Sequence, residues 1–412
     1  MELLGQFIIW AMMACMVVGA GAYILRPDSP LAGEFRDGIG VLGQIFIPVA
    51  GMMGIIPLLV PAINATIGPV YEWLHSDPSI AVATFLPSDQ GSYALGLEVA
   101  NSHGAWILAF TVGLTAGAVI AFSIPVGLAL LDPKHHKYLA LGTMCGLLAI
   151  PVTSVIMALM LMQSGVLLRE EINTAGPGTK PFDLSFGEVL LNLIPLVIIM
   201  VAMALALRFF TGLTVKAFLV FAKVIVVVTT VSMTANVVEY FTGVFTTVFG
   251  SFPLAPFIAD ADDQFRALEV CGYVAVMLAG AFPMVYLIRT GLAKPLQSVG
   301  DRFGVSEAGI TGFLAGATNI LALYRVIPLM PPRDRVLTIA FSVCAAFAIG
   351  DYLAFTANFQ PNMIVPMIVG KLAGGVLAVG IALWLAVPYL KRFIEEDEAE
   401  EAAQAELEAD KA

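Results

Sequence analysis

Apolar residues fall along this chain in runs of about twenty, separated by short polar interruptions, which is the length a helix needs to cross about 30 Å of hydrocarbon. Nine stretches meet it: about 3–25, 38–60, 105–131, 138–162, 187–209, 217–241, 268–288, 336–358 and 362–388. Two more, 79–98 and 308–327, are apolar but broken by small and polar residues. A transmembrane barrel would instead alternate apolar and polar positions in short strands. The pattern predicts an all-α polytopic membrane protein with about nine transmembrane helices and two broken segments.

Composition agrees. Of 412 residues, 59% are hydrophobic and 12% charged, and the mean hydropathy of +0.91 lies outside the range of soluble domains. The net charge of −11 is local: residues 395–412 (EEDEAEEAAQAELEADKA) hold nine acids and one lysine, leaving −3 for the rest. With no apolar stripe to bury, that tail reads as a solvated cytoplasmic extension behind a membrane domain at 1–394. Cys15, Cys145, Cys271 and Cys344 lie inside predicted spans without CxxC spacing, so they read as small core residues. His75, His103, His135 and His136 lack ligand spacing, and no metal or other cofactor is expected. No GxxxxGK[ST] phosphate loop occurs, and no basic patch suggests nucleic acid. The start, Met-Glu-Leu, has no basic leader region, so the first run is expected to be a retained helix.

Positive charges orient the spans. Place the N-terminus outside and let both broken segments be re-entrant. The inside loops then hold Arg26, Arg36, Lys134, Lys137, Arg208, Lys216, Arg289, Lys294, Arg302, Arg325, Arg333, Arg335, Lys391 and Arg392. The outside loops hold Arg169, Lys180 and Arg266. This is the positive-inside bias, and it collapses if 79–98 crosses completely. Segment 79–98 then dips in from outside and 308–327 from inside, as inverted-repeat transporters arrange their broken helices. The corresponding repeats would be about 38–165 and 268–388. Faint internal similarity agrees, since DPKHHKYLALGTMCGLLAIP matches PPRDRVLTIAFSVCAAFAIG without gaps.

Two aspartates mark the candidate site. Asp89 lies in LPSDQGSYALG and Asp351 in AFAIGDYLAFTAN, each beside a glycine in apolar sequence. A carboxylate near the bilayer centre costs about 2.5–3.5 kcal/mol on insertion scales, so it normally faces a cavity, a partner or a substrate. Pro87 and Gly91 bracket Ser88-Asp89-Gln90 as a hairpin tip, and Thr318-Asn319 after Gly316 mark the matching break. Asp89 can also cap a half-helix, Asn319 can do the same, and Lys371 can neutralise Asp351. Glu269 can complement a helix dipole. Tyr93 and Tyr352, beside the aspartates, suit cation–π contact with an ammonium group. Two carboxylates and one nearby lysine leave a surplus negative charge, which favours a small cation.

At these residues the chain resembles EutH, the ethanolamine permease family of bacterial ethanolamine-utilisation systems. The resemblance runs from about 40 to 388. It is sharpest in FSIPVGLALLDPKHHKYLALG, in RALEVCGYVAVMLAGAFPMVYLI with KPLQSVG, and in CAAFAIGDYLAFTANFQPNMIVPMIVGKLAGG. SDQG and GDYLAF match the family's aspartate positions. The carried-over residues are Asp89, Asp351, Asn319, Glu269 and Lys371. Gln90 and Tyr352 depart from the residues expected there, and the loop 166–186 and the acidic tail are particular to this chain. The resemblance implies uptake of protonated ethanolamine across the bacterial inner membrane, with no enzymatic activity. Ser88 and Asn319 would hold the hydroxyl and the aspartates the ammonium. An elevator motion and a homodimer are the expected mechanism and assembly. The alternatives are a carrier of another small cation or nucleoside-like solute and, more distantly, an intramembrane aspartyl protease. The protease reading suffers because Ala348 stands where a Gly-x-Gly-Asp motif needs its first glycine.

Overall fold

The computed structural model describes residues 2–390 and 395, so the acidic tail beyond Glu395 lies outside the described residues, as do Lys391 and Arg392. The apolar runs fold as helices close to their expected places: α1 (Glu2–Leu25), α2 (Pro30–Ala65) and the short α3 (Ile67–Trp73) come first. The first broken segment forms α4 (Pro78–Phe85), a single turn at Ser88–Gln90, and α5 (Ser92–Val99). Next, α6 (His103–Val112) runs through π-helical turns at Gly113–Gly117 and Val119–Ser123 into α7 (Ile124–Leu130). Then follow α8 (His136–Ser164), α9 (Phe186–Asn192), α10 (Ile194–Phe209), α11 (Thr211–Thr242), α12 (Val244–Phe249) and α13 (Ala267–Phe303). The second broken segment is α14 (Glu307–Thr318) and α15 (Ile320–Val326), and α16 (Pro332–Ala345), α17 (Asp351–Phe359) and α18 (Ile364–Leu385) complete the bundle.

Among the described residues, seven helices are long and apolar enough to cross a membrane, or eight if α9 and α10, bent by 42° at Leu193, count as one span. These eight coincide with expected spans. The ninth, 336–358, is unwound between Ala345 and Asp351, so neither half reaches spanning length. The chain is a multi-pass α-helical membrane protein.

Hydrogen bonds sort the helix ends into two opposite sets. At one end, His103 Nε2 lies 3.0 Å from the Arg169 carbonyl, and the Ser76 hydroxyl donates to the Asn192 carbonyl at 2.7 Å. At the other, the Arg335 guanidinium reaches His135, and Arg208 lies 4.2 Å from the centre of the Tyr389 ring. Each broken segment starts and finishes at one of these ends. Asp77 closes the base of the first, accepting from Ser79 N–H at 2.9 Å and Asn101 N–H at 2.8 Å. Ser79 on α4 faces Gly96 on α5, so the two arms run back along each other. Asp334 anchors the second at the opposite end, accepting from Ser306 N–H at 2.8 Å. Leu323 on α15 packs against both Gly312 and Gly316 on α14, which requires that α15 fold back. The two hairpins therefore enter from opposite ends, and their tips approach the break between α16 and α17.

Two groups of helices frame that meeting place. In one, α1, α2, α11 and α13 pack on one another; in the other, α8, α10, α16 and α18 do so. Close approach within the second group uses small residues. Gly142 and Gly146 of α8 admit Ile339 and Val343 of α16 against the backbone, the small-residue packing common between membrane helices.

Candidate functional site

The tip of the first hairpin takes the shape its sequence dictates. Pro87, with φ near −66°, opens the turn, Ser88–Gln90 form one helical turn, and Gly91 closes it at φ +108°. That backbone region suits glycine because it has no Cβ. The Ser88 hydroxyl donates to the Phe110 carbonyl at 3.1 Å, fixing the tip against α6. Asp89 sits within this turn, which has no side-chain cap, and α5 likewise begins without one. Tyr352 lines the same cavity as Asp89, whose Oδ1 is buried and has no hydrogen-bond partner.

The α16–α17 break supplies the second acid. Phe347 adopts φ +62°, unusual for a bulky residue, and the chain re-enters a helix at Asp351. The Phe347 ring packs on Phe122 and Tyr352, with centroids 5.9 and 5.6 Å apart. Ile349 N–H donates to the Ala317 carbonyl at 3.2 Å, tying the break to the tip of the second hairpin. There Asn319 is extended and its Oδ1 accepts from Leu321 N–H at 2.8 Å, starting α15. The Thr318 hydroxyl donates to the Ala315 carbonyl at 2.9 Å, which leaves its oxygen free to accept.

These pieces share one cavity of about 1090 Å³. Asp89, Gln90, Thr318, Asn319, Asp351 and Tyr352 line its deep end, and Phe347 forms part of the wall. Both aspartates thus border the same space. From there the cavity widens between α2, α7, α11 and α13 to the exposed residues Asp37, Lys223, Arg289 and Arg325. Arg289 lies 3.9 Å from Glu34 at this mouth.

Toward the opposite end the path closes. Beyond Asp89 lies a small pocket lined by Ser88, Tyr93, Ala94, Ile172, Val270, Phe355 and Phe359. Tyr93 stacks on Trp106 at 4.7 Å and packs against Phe110 at 4.8 Å and Phe355 at 5.6 Å. Over this cluster the loop after α8 is fastened by Arg169. Its guanidinium donates to the carbonyls of Gly176, Asn173, Thr174 and Asn358. Its backbone N–H donates to Gln360 Oε1 at 2.9 Å, and Gln360 Nε2 in turn donates to Arg169 O and the Tyr93 hydroxyl, each at 2.9 Å.

Four expected site residues stand apart from the cavity. Ser88, expected to hold a substrate hydroxyl, is buried beside the small pocket with its own hydroxyl donated to the Phe110 carbonyl. Tyr93 belongs to the aromatic seal. Glu269 lies in the first turn of α13, one Oε buried without a partner, next to the small pocket. Lys371 is wholly buried behind Tyr352 and forms no ion pair with Asp351 or any acid among the described residues. It donates instead to the Leu114 carbonyl and lies 5.0 Å from the centre of the Tyr352 ring. Sequence reasoning missed Phe347, for which no residue-level signal existed, and Arg169, which it counted merely as a loop charge. Gln360 belongs to a polar run after Tyr352 that the sequence does display. No cluster of His, Cys, Asp and Glu able to hold a metal occurs among the described residues.

Apolar spanning helices packed around broken ones that bring two carboxylates to a shared cavity define a multi-pass membrane protein of the transporter class. Comparison with known proteins gives the family. The chain belongs to the EutH family: the family model described as "Ethanolamine utilisation protein, EutH" matches residues 4–385. It is 36% identical over 358 residues to the "Probable ethanolamine permease EutH" of Salmonella typhimurium, covering 86% of this chain and 85% of the relative. The Escherichia coli protein of the same name gives the same figures. The Listeria monocytogenes protein of that name is 30% identical over 390 residues, 94% of this chain and 96% of the relative. No solved structure matches the chain.

Proposed function

We propose that the protein carries ethanolamine, as its protonated cation, across the bacterial inner membrane by alternating access. The observation that supports this most is the convergence of Asp89 and Asp351, from a hairpin tip and a helix break, on one cavity. Two carboxylates held away from bulk water are costly without a positive charge nearby, and a substrate ammonium supplies it. The Asn319 amide and Thr318 hydroxyl, at the same deep end, suit the substrate's hydroxyl. The relatives' names supply the particular amine.

The mouth carries Lys223, Arg289 and Arg325 and lies at the end richer in basic residues, which supports a cytoplasmic opening with the N-terminus outside. The conformation is then inward-facing, with the Tyr93 cluster and the Arg169 clasp forming the outer seal. Opposed hairpins and two helix groups suit an elevator motion of inverted repeats, the scaffold anchored in a homodimer.

Uptake of labelled ethanolamine into proteoliposomes tests the reading. Asp89→Asn and Asp351→Asn should each raise the apparent KM or lower the rate by about tenfold to a hundredfold, the loss expected for a desolvated charge pair. Wild-type uptake in both correctly inserted variants would remove the proposed site. A panel of competing amines decides whether another cation is preferred.

A further inference from the structure

We propose that Lys371 sets the net charge of the cavity from behind its wall and thereby restricts the carrier to singly charged amines. This rests on the reading of the cavity as an ammonium site. Lys371 is fully buried at 0% exposure, within the apolar helix α18, and does not line the cavity. A substrate therefore does not touch it. Its ammonium is held from two sides. One is the Leu114 carbonyl, which belongs to the π-helical stretch Gly113–Gly117. A π-turn shifts the helical hydrogen-bond register and frees a carbonyl for an outside donor. The other is the face of the Tyr352 ring, 5.0 Å away, and Tyr352 lines the cavity together with Asp89 and Asp351.

The lysine thus stands one aromatic ring behind the wall that carries both aspartates, with no ion pair to either among the described residues. Two aspartates and one lysine leave the deep end with one net negative charge. A monocation neutralises it, whereas a dication leaves an excess positive charge in a poorly screened interior. The remaining charged lining residues, Glu34, Asp37, Lys223, Arg289 and Arg325, lie toward the mouth, and four of the five are solvent-exposed and screened. The deep charges decide valence.

Ethylenediamine is the suitable probe, because it replaces ethanolamine's hydroxyl with a second amine and is a dication in mildly acidic buffer. Its uptake is compared with that of ethanolamine in proteoliposomes for wild type, Lys371→Met, Asp351→Asn and the double variant. Lys371→Met should raise the diamine-to-ethanolamine uptake ratio by about tenfold or more, the scale of one unscreened charge. Asp351→Asn alone should lose ethanolamine uptake. The double variant, with one net negative charge again, should recover part of it and lose the diamine gain. An unchanged ratio in Lys371→Met, or a double variant no better than Asp351→Asn, overturns the proposal. Lys371→Gln, which keeps a donor for the Leu114 carbonyl, is read beside it and should shift the ratio likewise. If neither lysine variant yields monodisperse protein, the lysine is structural and the proposal fails. Absence of ethanolamine uptake by the wild type would instead defeat the underlying reading, so the two failures are distinguishable.

Discussion

Gly91 holds φ at +108°, and that dihedral determines where Asp89 points, because the residues between Pro87 and Gly91 have no other freedom to turn back. An added Cβ would strain the backbone and press on the Met52 side chain. Gly91→Ala should cost about 1–3 kcal/mol in stability, measured by thermal unfolding in detergent, and should depress ethanolamine uptake more than the stability loss explains. Wild-type melting and uptake would show that the tip tolerates another geometry. The tip was readable beforehand because proline and glycine bracket an acid in apolar sequence, a combination with few other uses. Lys371 was not. Pairing with Asp351 was one of two readings open for it, yet its acceptor is Leu114, in a π-helical stretch that apolar periodicity does not reveal.

The loop between α8 and α9 is held at the element scale by Arg169 together with Val166 and Leu168, which are buried in the main apolar core. One guanidinium satisfies four backbone carbonyls, and Gln360, 191 positions away, bonds both its N–H and its C=O. Such a clasp is invisible in sequence, since a lone arginine in a polar loop has the same composition whether solvated or central. The hairpins were legible for the opposite reason: their breaks fall inside apolar runs, where any polar residue stands out. The break before α17 belongs with them, since Gly350-Asp351 interrupts the apolar run 336–358, and Pro195 at the start of α10 accompanies the bend at Leu193. If the clasp holds the outer seal, Arg169→Ala should loosen it by about 1–3 kcal/mol per group left unsatisfied. A cysteine at Ala94, which lines the small pocket, reports this in a chain lacking Cys15, Cys145, Cys271 and Cys344. Its reaction with a membrane-impermeant maleimide added outside should rise about tenfold in the Arg169→Ala background. Equal rates in both backgrounds would assign the seal to the aromatic cluster instead.

Across the whole molecule the wide cavity and the small pocket meet at Asp89, and in the proposed mechanism this asymmetry separates a carrier from a pore. The cavity wall draws on α2, α11 and α13 of one helix group, and its deep end on the hairpin tips and the break before α17. Motion between those parts would close the wide side as it opens the narrow one. A cysteine at Gln44 or Val226, both on the wide wall, should react with the impermeant maleimide from the cytoplasmic face alone, while one at Ala94 reacts from neither. Added ethanolamine should slow the wide-wall reaction and quicken that at Ala94, because a bound cation offsets the repulsion between the carboxyls and permits the outward shift. Reaction of the wide wall from the external face would reverse the orientation derived from the basic residues. Simultaneous reaction of both positions from both faces would describe a continuous pore, and neither the elevator motion nor a charge-selected binding step would then be needed.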